Sequence, residues 1–218
     1  MEKEKHIRDL DGYMMKIEIN EKEYNIPQSF DELTLKQYQM AFNNLPKYEG
    51  DDEDVMLKYR HSREQESIII SRILGEDDNF CLDLPLDIYN RIAKEFAFIY
   101  GLKDFMKNTK AYVKIDGKRY MIPSHEEMSM RQYIDADMSK DNFIEMLAIL
   151  LLERKDGEFV RYDGKYEKMI PKVESLSCSD ALPLLFHYFK KKEIYKRISK
   201  ASLLQAKLSQ MLQSGQVS

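Results

Sequence analysis

The chain has 218 residues, enough to bury a real core in one large domain or two small ones. Hydrophobic residues make up 43% and charged residues 33%, which excludes wholesale disorder. The net charge of −4 removes any whole-chain electrostatic drive toward nucleic acid or anionic lipid, and two cysteines, Cys81 and Cys178, are too few for a disulfide framework or a cysteine-only zinc site.

In chain order, residues 1–13 read as a charged extension with no apolar segment behind it, so no secretory signal is expected. Residues 16–27 then read KIEINEKEYNIP, an alternation that predicts a β-hairpin ended by Pro27. Its turn, Asn20-Glu-Lys, lacks the glycine of a tight two-residue loop and predicts a looser one. Thr34-Leu-Lys-Gln37 is a capping box that opens a helix, with Leu33 and Tyr38 at hydrophobic-staple positions. An acidic connector over 43–54 leads to a helix from Val55 to Leu74, capped by Gly75. Glu76-Asp-Asp78 reads as a surface loop, and Leu86 to about Phe105 as an amphipathic helix.

The pattern then starts again. Residues 112–123 read YVKIDGKRYMIP, in which Val113, Ile115, Tyr120, Ile122 and Pro123 match Ile17, Ile19, Tyr24, Ile26 and Pro27 at one constant offset. Here Asp116-Gly117 is a strong hairpin signal. Glu127-Met-Ser-Met-Arg-Gln-Tyr133 matches Glu32-Leu-Thr-Leu-Lys-Gln-Tyr38, and repeats the capping box at Ser129 and Gln132 and the staple at Met128 and Tyr133. Cys178-Ser-Asp-Ala-Leu-Pro-Leu184 echoes Cys81-Leu-Asp-Leu-Pro-Leu86. Between the last two matches, a helix is expected from about Lys140 to Arg154. A hairpin of Glu158–Tyr162 and Lys165–Met169 is expected on Asp163-Gly164, then a helix from about Ser179. The predicted fold is α+β, mainly helical with small antiparallel β-hairpins. Two tandem copies of a hairpin-plus-helices module, 14–108 and 109–200, would share a core about a pseudo-twofold, followed by a C-terminal helix and frayed tail over 201–218.

No catalytic, cofactor-binding or metal residues are expected. His6, His61, His125 and His187 are scattered without ligand spacing. There is no nucleophile elbow, and the eight glycines form no phosphate cradle. Cys81 and Cys178 each precede a predicted helix, where a thiol could be activated, but no His or Asn motif accompanies them and they read as small apolar residues packing at a helix start. Paired carboxylates stay open, with no motif behind them. The chain therefore reads as a non-enzyme.

Candidate partner-binding residues lie toward the C-terminus. Lys190, Lys191, Lys192 and Lys196, with Arg197 and Lys200, sit among Phe186, Tyr188, Phe189 and Tyr195. A basic helix with aromatics can track nucleic acid, dock an acidic partner, or simply be a solvated face. Leu204, Leu208 and Met211 continue an amphipathic stretch that either packs on the chain's own core or binds a partner. With 14 Tyr and 13 Met, the chain is rich in residues common at adaptable contact surfaces and in ordinary cores alike.

Tyr24-Asn-Ile-Pro27 and Phe30-Asp-Glu-Leu-Thr-Leu-Lys-Gln-Tyr38, with their second-copy equivalents, resemble the opening of bacteriophage tail assembly chaperones. In outline they are also similar to the hub-assembly proteins of contractile-tailed phages. The resemblance implies a virion assembly or structural protein, located in the host cytoplasm or incorporated in the particle. Its partners would be other phage structural proteins, tail or connector subunits, with no membrane and no cofactor. It carries over no functional residues. Nucleic-acid association through the basic helix is the alternative.

Overall fold

Alternation along 15–26 places Ile17, Ile19, Tyr24 and Ile26 on one face, and that face is buried. The computed structural model describes residues 15–19, 21–50, 54–101 and 110–191. In it β1 (Met15–Ile19) and β2 (Lys22–Ile26) pair with Ile17 opposite Tyr24 and Ile19 opposite Lys22. β3 (Tyr112–Ile115) and β4 (Lys118–Met121) repeat that register, Val113 opposite Tyr120 and Ile115 opposite Lys118. Both hairpins therefore close through two residues, and the looser first turn is not what forms. Glu21 takes a left-handed φ of 64°, where Gly117 takes 76° in the second hairpin. The pairing of the strands overrides the weak turn chemistry.

Each hairpin leads to a capped helix. α1 (Leu35–Phe42) has both halves of its capping box: Thr34 accepts from the Gln37 amide, and the Gln37 side chain accepts from the Thr34 amide. In α4 (Met130–Met138) only the first half is of this kind. Ser129 accepts from the Gln132 amide, but the Gln132 side chain, 1% exposed, donates to the Ile149 carbonyl over 2.8 Å. Leu33, Tyr38 and Met128 are buried and Tyr133 half-buried, as staple positions require.

α2 (Val55–Ile73) starts at Asp54, whose carboxylate accepts from the Leu57 amide. Beyond it Gly75, at φ 79°, permits the closing bonds Gly75 N to Arg72 O and Glu76 N to Ser71 O. The 76–78 loop is held in place: Arg72 grips Asp78 through two parallel bonds, and Glu76 accepts from Lys22 and Tyr24. α3 (Leu86–Glu95) is shorter than expected and passes into a 3-10 segment, Phe96–Gly101.

Two expectations for the second copy are overturned. The helix expected over 140–154 is α5 (Phe143–Leu150) only, started by Asn142, whose side chain accepts from the Glu145 amide. Leu151 is extended, and β5 (Leu152–Lys155) joins the open edge of β4, with Met121 opposite Leu152. Apolar residues run unbroken through Met146–Leu152, so periodicity could not locate the change, and the unpaired β4 edge settles it. The third hairpin turns on Asp156-Gly157 and not on Asp163-Gly164: β5 pairs with β6 (Glu158–Phe159), giving a sheet ordered β3-β4-β5-β6. Residues 165–169 form no strand. Tyr162 and Tyr166 instead turn their hydroxyls to Asp135 on α4 and Glu145 on α5.

α6 (Ile170–Glu174) and α7 (helical over 178–191) complete the described chain. The third sequence echo is not a local structural match, since Pro85 caps the start of α3 whereas Pro183 lies inside α7. Buried side chains from both copies form one hydrophobic cluster. Each fully buried Leu or Ile in it contributes about 1.5–3 kcal/mol. The architecture is α+β, and among the described residues no helix is long and apolar enough to cross a membrane.

The copies meet at the α1 capping box. The Cys178 amide donates to the Leu33 carbonyl, the Leu35 amide to the Leu176 carbonyl, and the Ser179 amide to the Phe30 carbonyl. Further along α1, the Gln39 side chain donates to Asn142 Oδ1 and accepts from the Ile144 amide, both at 3.0 Å, so it completes the cap of α5.

Candidate docking groove

The first two turns of α2 carry Val55, Met56, Leu57 and Tyr59, all well exposed; the apolar residues that anchor this helix to the core, Ile68, Ile70 and Ile73, lie in its other half. Facing the exposed half is the 81–89 segment. Between them is an open groove of about 650 Å³, lined among others by Met56, Leu57, Leu82, Leu84, Leu86 and Tyr89. Met56 is 75% and Leu86 71% exposed.

Hydrogen bonds hold the floor rigid. Ser71 donates to the Ser67 carbonyl and accepts from the Cys81 amide at 3.0 Å, which seats the 81–86 turn on α2. At one end Glu66 gathers three donors: Arg63 at 2.6 Å, Tyr89 at 3.0 Å and Tyr100. The Arg63 guanidinium also lies over the Tyr89 ring. Burial, followed by the bond to Glu66, raises the Tyr100 hydroxyl's pKa. The cluster is thus a saturated polar rim, with its charge already engaged.

The groove is lined mainly by apolar side chains. Its one thiol, Cys81, is buried and burial raises its pKa, the opposite of an activated nucleophile. Cys178 is likewise pushed up to about 12 by burial. Among the described residues no group of three or more His, Cys, Asp or Glu is placed to hold a metal ion.

The structure puts Lys190 and Lys191, both exposed, on the last described turn of α7. Neither lines the groove. Lys192, Lys196, Leu204, Leu208 and Met211 lie outside the described residues. The groove residues were missed by the sequence reading, yet a signal was there: Val55-Met-Leu57 is an apolar run set directly before the charged stretch 58–66 of the same helix. Comparison with family models, curated proteins and solved structures returns no match.

Proposed function

We propose that the chain is a non-enzymatic protein-binding component of bacteriophage assembly, a tail assembly chaperone or a tail or connector component. The observation that carries the protein-binding part is the exposed apolar groove between α2 and the 81–89 segment. An apolar surface of this kind gains free energy only by being covered, and its Met, Leu and Tyr lining suits the buried centre of a protein contact. The phage part is supported by the resemblance carried by Tyr24–Pro27, Phe30–Tyr38 and their second-copy equivalents.

The test is co-purification of the chain with candidate tail subunits. Wild-type protein retains a tail subunit, and Leu86→Asp loses it with an unchanged circular dichroism spectrum. Retention by a chain that is absent from mature particles marks a chaperone; presence in the particle marks a structural part. No retained subunit, or equal retention by Leu86→Asp, overturns the reading.

A further inference from the structure

The first two hairpins share one register, and their inward residues match: Ile17, Ile19 and Tyr24 in the first stand where Val113, Ile115 and Tyr120 stand in the second. Their outward residues do not match. β1 and β2 present Lys16, Glu18, Glu23 and Asn25; β3 and β4 present Tyr112, Lys114, Arg119 and Met121 at the same four positions. Two carboxylates are exchanged for two cations, and a Lys and an Asn for an aromatic and an aliphatic side chain. Both hairpins set like charges opposite one another, Glu18 against Glu23 and Lys114 against Arg119, an arrangement that lowers stability. In the first hairpin Lys16 relieves it with an ion pair to Glu23 at 2.7 Å. In the second, no carboxylate among the described residues pairs with Lys114 or Arg119, and the Arg119 guanidinium lies 3.9 Å from the centre of the Tyr112 ring instead.

The strands added in the second copy extend this face. Leu152 stands beside Met121, and Phe159 beside Arg154, whose guanidinium lies over the Phe159 ring and donates through Nε to the Gly157 carbonyl. The outward side of the β3-β4-β5-β6 sheet therefore carries Tyr112, Met121 and Leu152 in one line across the strands, with Lys114, Arg119 and Arg154 next to it, and no outward position on these strands holds a carboxylate. Tyr112 is 43% exposed, and all three cations are exposed. At the Arg154 edge α7 brings a further cation near. Glu127, held below the usual carboxylate range first by bonds from the Ser124 amide and hydroxyl, is also acted on by Arg154 and Lys191. The chain's net charge of −4 does not cancel this field, because exposed charges more than about 8 Å away are largely screened at physiological salt.

Cations held over rings keep their charge, and their remaining N–H donors can meet phosphate oxygens; ring and guanidinium surfaces accept a stacked base. That combination suits a polyanion whose bases are unpaired, where a duplex would offer its phosphates alone. We propose that the outward face of the β3-β4-β5-β6 sheet binds single-stranded nucleic acid, with Lys114, Arg119 and Arg154 on phosphates and the Tyr112 and Phe159 rings against bases. Phosphates and base faces are common to both sugars, so DNA and RNA strands bind alike. The site is separate from the groove between α2 and the 81–89 segment, and none of its residues lines that groove.

The test is fluorescence anisotropy of labelled oligonucleotides of about 20 nucleotides, oligo-dT, oligo-rU and a mixed-sequence DNA duplex, titrated with the full chain at low and at physiological salt. Wild-type protein binds both single strands, and the duplex at least tenfold more weakly. Lys114→Glu, Arg119→Glu uses the residue types that the first hairpin already carries in this register, so folding is preserved; it weakens single-strand binding at least tenfold and flattens its salt dependence. Tyr112→Lys likewise follows the first hairpin. It adds a positive charge, yet it weakens binding several-fold because the stacking ring is gone. Leu86→Asp, in the groove, binds oligonucleotide as wild type does, which separates failure of this site from failure of the groove. Wild-type protein that binds neither single strand overturns the proposal. So does equal affinity for the duplex, or tighter binding by Tyr112→Lys, each of which reduces the face to plain charge. Retention of an acidic tail subunit through Lys114 and Arg119, with no oligonucleotide bound, assigns the face to protein and overturns it as well.

Discussion

The amide of Cys178 donates to the carbonyl of Leu33 over 2.7 Å, joining the start of the last described helix to the staple position of the first. Leu33 and Cys178 are both buried, so this bond is shielded from water and its loss would leave a backbone group unsatisfied. It is one of a set that includes Gln39, which reaches from α1 to the cap of α5. Gln39→Leu keeps the side-chain bulk but removes the acceptor for the Ile144 amide. We expect a loss of about 1–3 kcal/mol in urea denaturation.

The two capping glutamines separate in the same assay. Gln37→Ala removes the reciprocal half of a partly buried cap and should lower stability by about 1 kcal/mol. Gln132→Ala leaves the buried Ile149 carbonyl without its partner and opens a small void. It should lower stability by about 2–3 kcal/mol. Equal losses would contradict the difference in roles.

Glu21 holds a left-handed conformation that its counterpart Gly117 adopts freely. Glu21→Gly should therefore stabilise the protein, by up to about 1 kcal/mol. Gly117→Glu should destabilise it by a similar amount. Thermal melts of both variants check the pair.

Stability should decline in alkali through the junction of the two copies. Burial raises the Cys178 thiol to about 12, and burial together with the neighbouring Cys178 raises the Tyr38 hydroxyl to about 12. Unfolded, these groups ionise near 9 and 10. The folded state holds their protons longer, so their contribution is complete below about pH 9 and drains away as the pH rises toward about 12. Denaturation midpoints across that range should fall, and Cys178→Ala should fall less steeply. A thiol reagent at pH 8 should leave Cys178 and Cys81 unmodified until the chain unfolds.

Much of the fold was legible wherever a local rule decides the outcome. Strand alternation located both hairpins, Thr34 and Ser129 located two helix starts, and Gly75 located the end of α2. The sequence reading failed where partners distant in the chain decide. Leu152–Lys155 is a strand because β4 offers an unpaired edge, and a run of apolar residues says nothing about that edge. Of two Asp-Gly pairs, 156–157 became the turn because 152–155 was already in the sheet, while Tyr162 and Tyr166 found carboxylates on α4 and α5. The groove was hidden because Met56, Leu82 and Leu86 look like core residues until the backbone shows that none of the described residues covers them.

Photocrosslinking in cells that also make the proposed tail or connector subunits addresses the groove most directly. A photoreactive residue at Met56, inside the groove, should give covalent adducts with protein that disappear when Leu86 is replaced by Asp. The same residue at Glu18, on the exposed outer face of β1, should give none. Equal yields from the two sites, or adducts from Met56 only with nucleic acid, would contradict the assignment of the groove to protein binding.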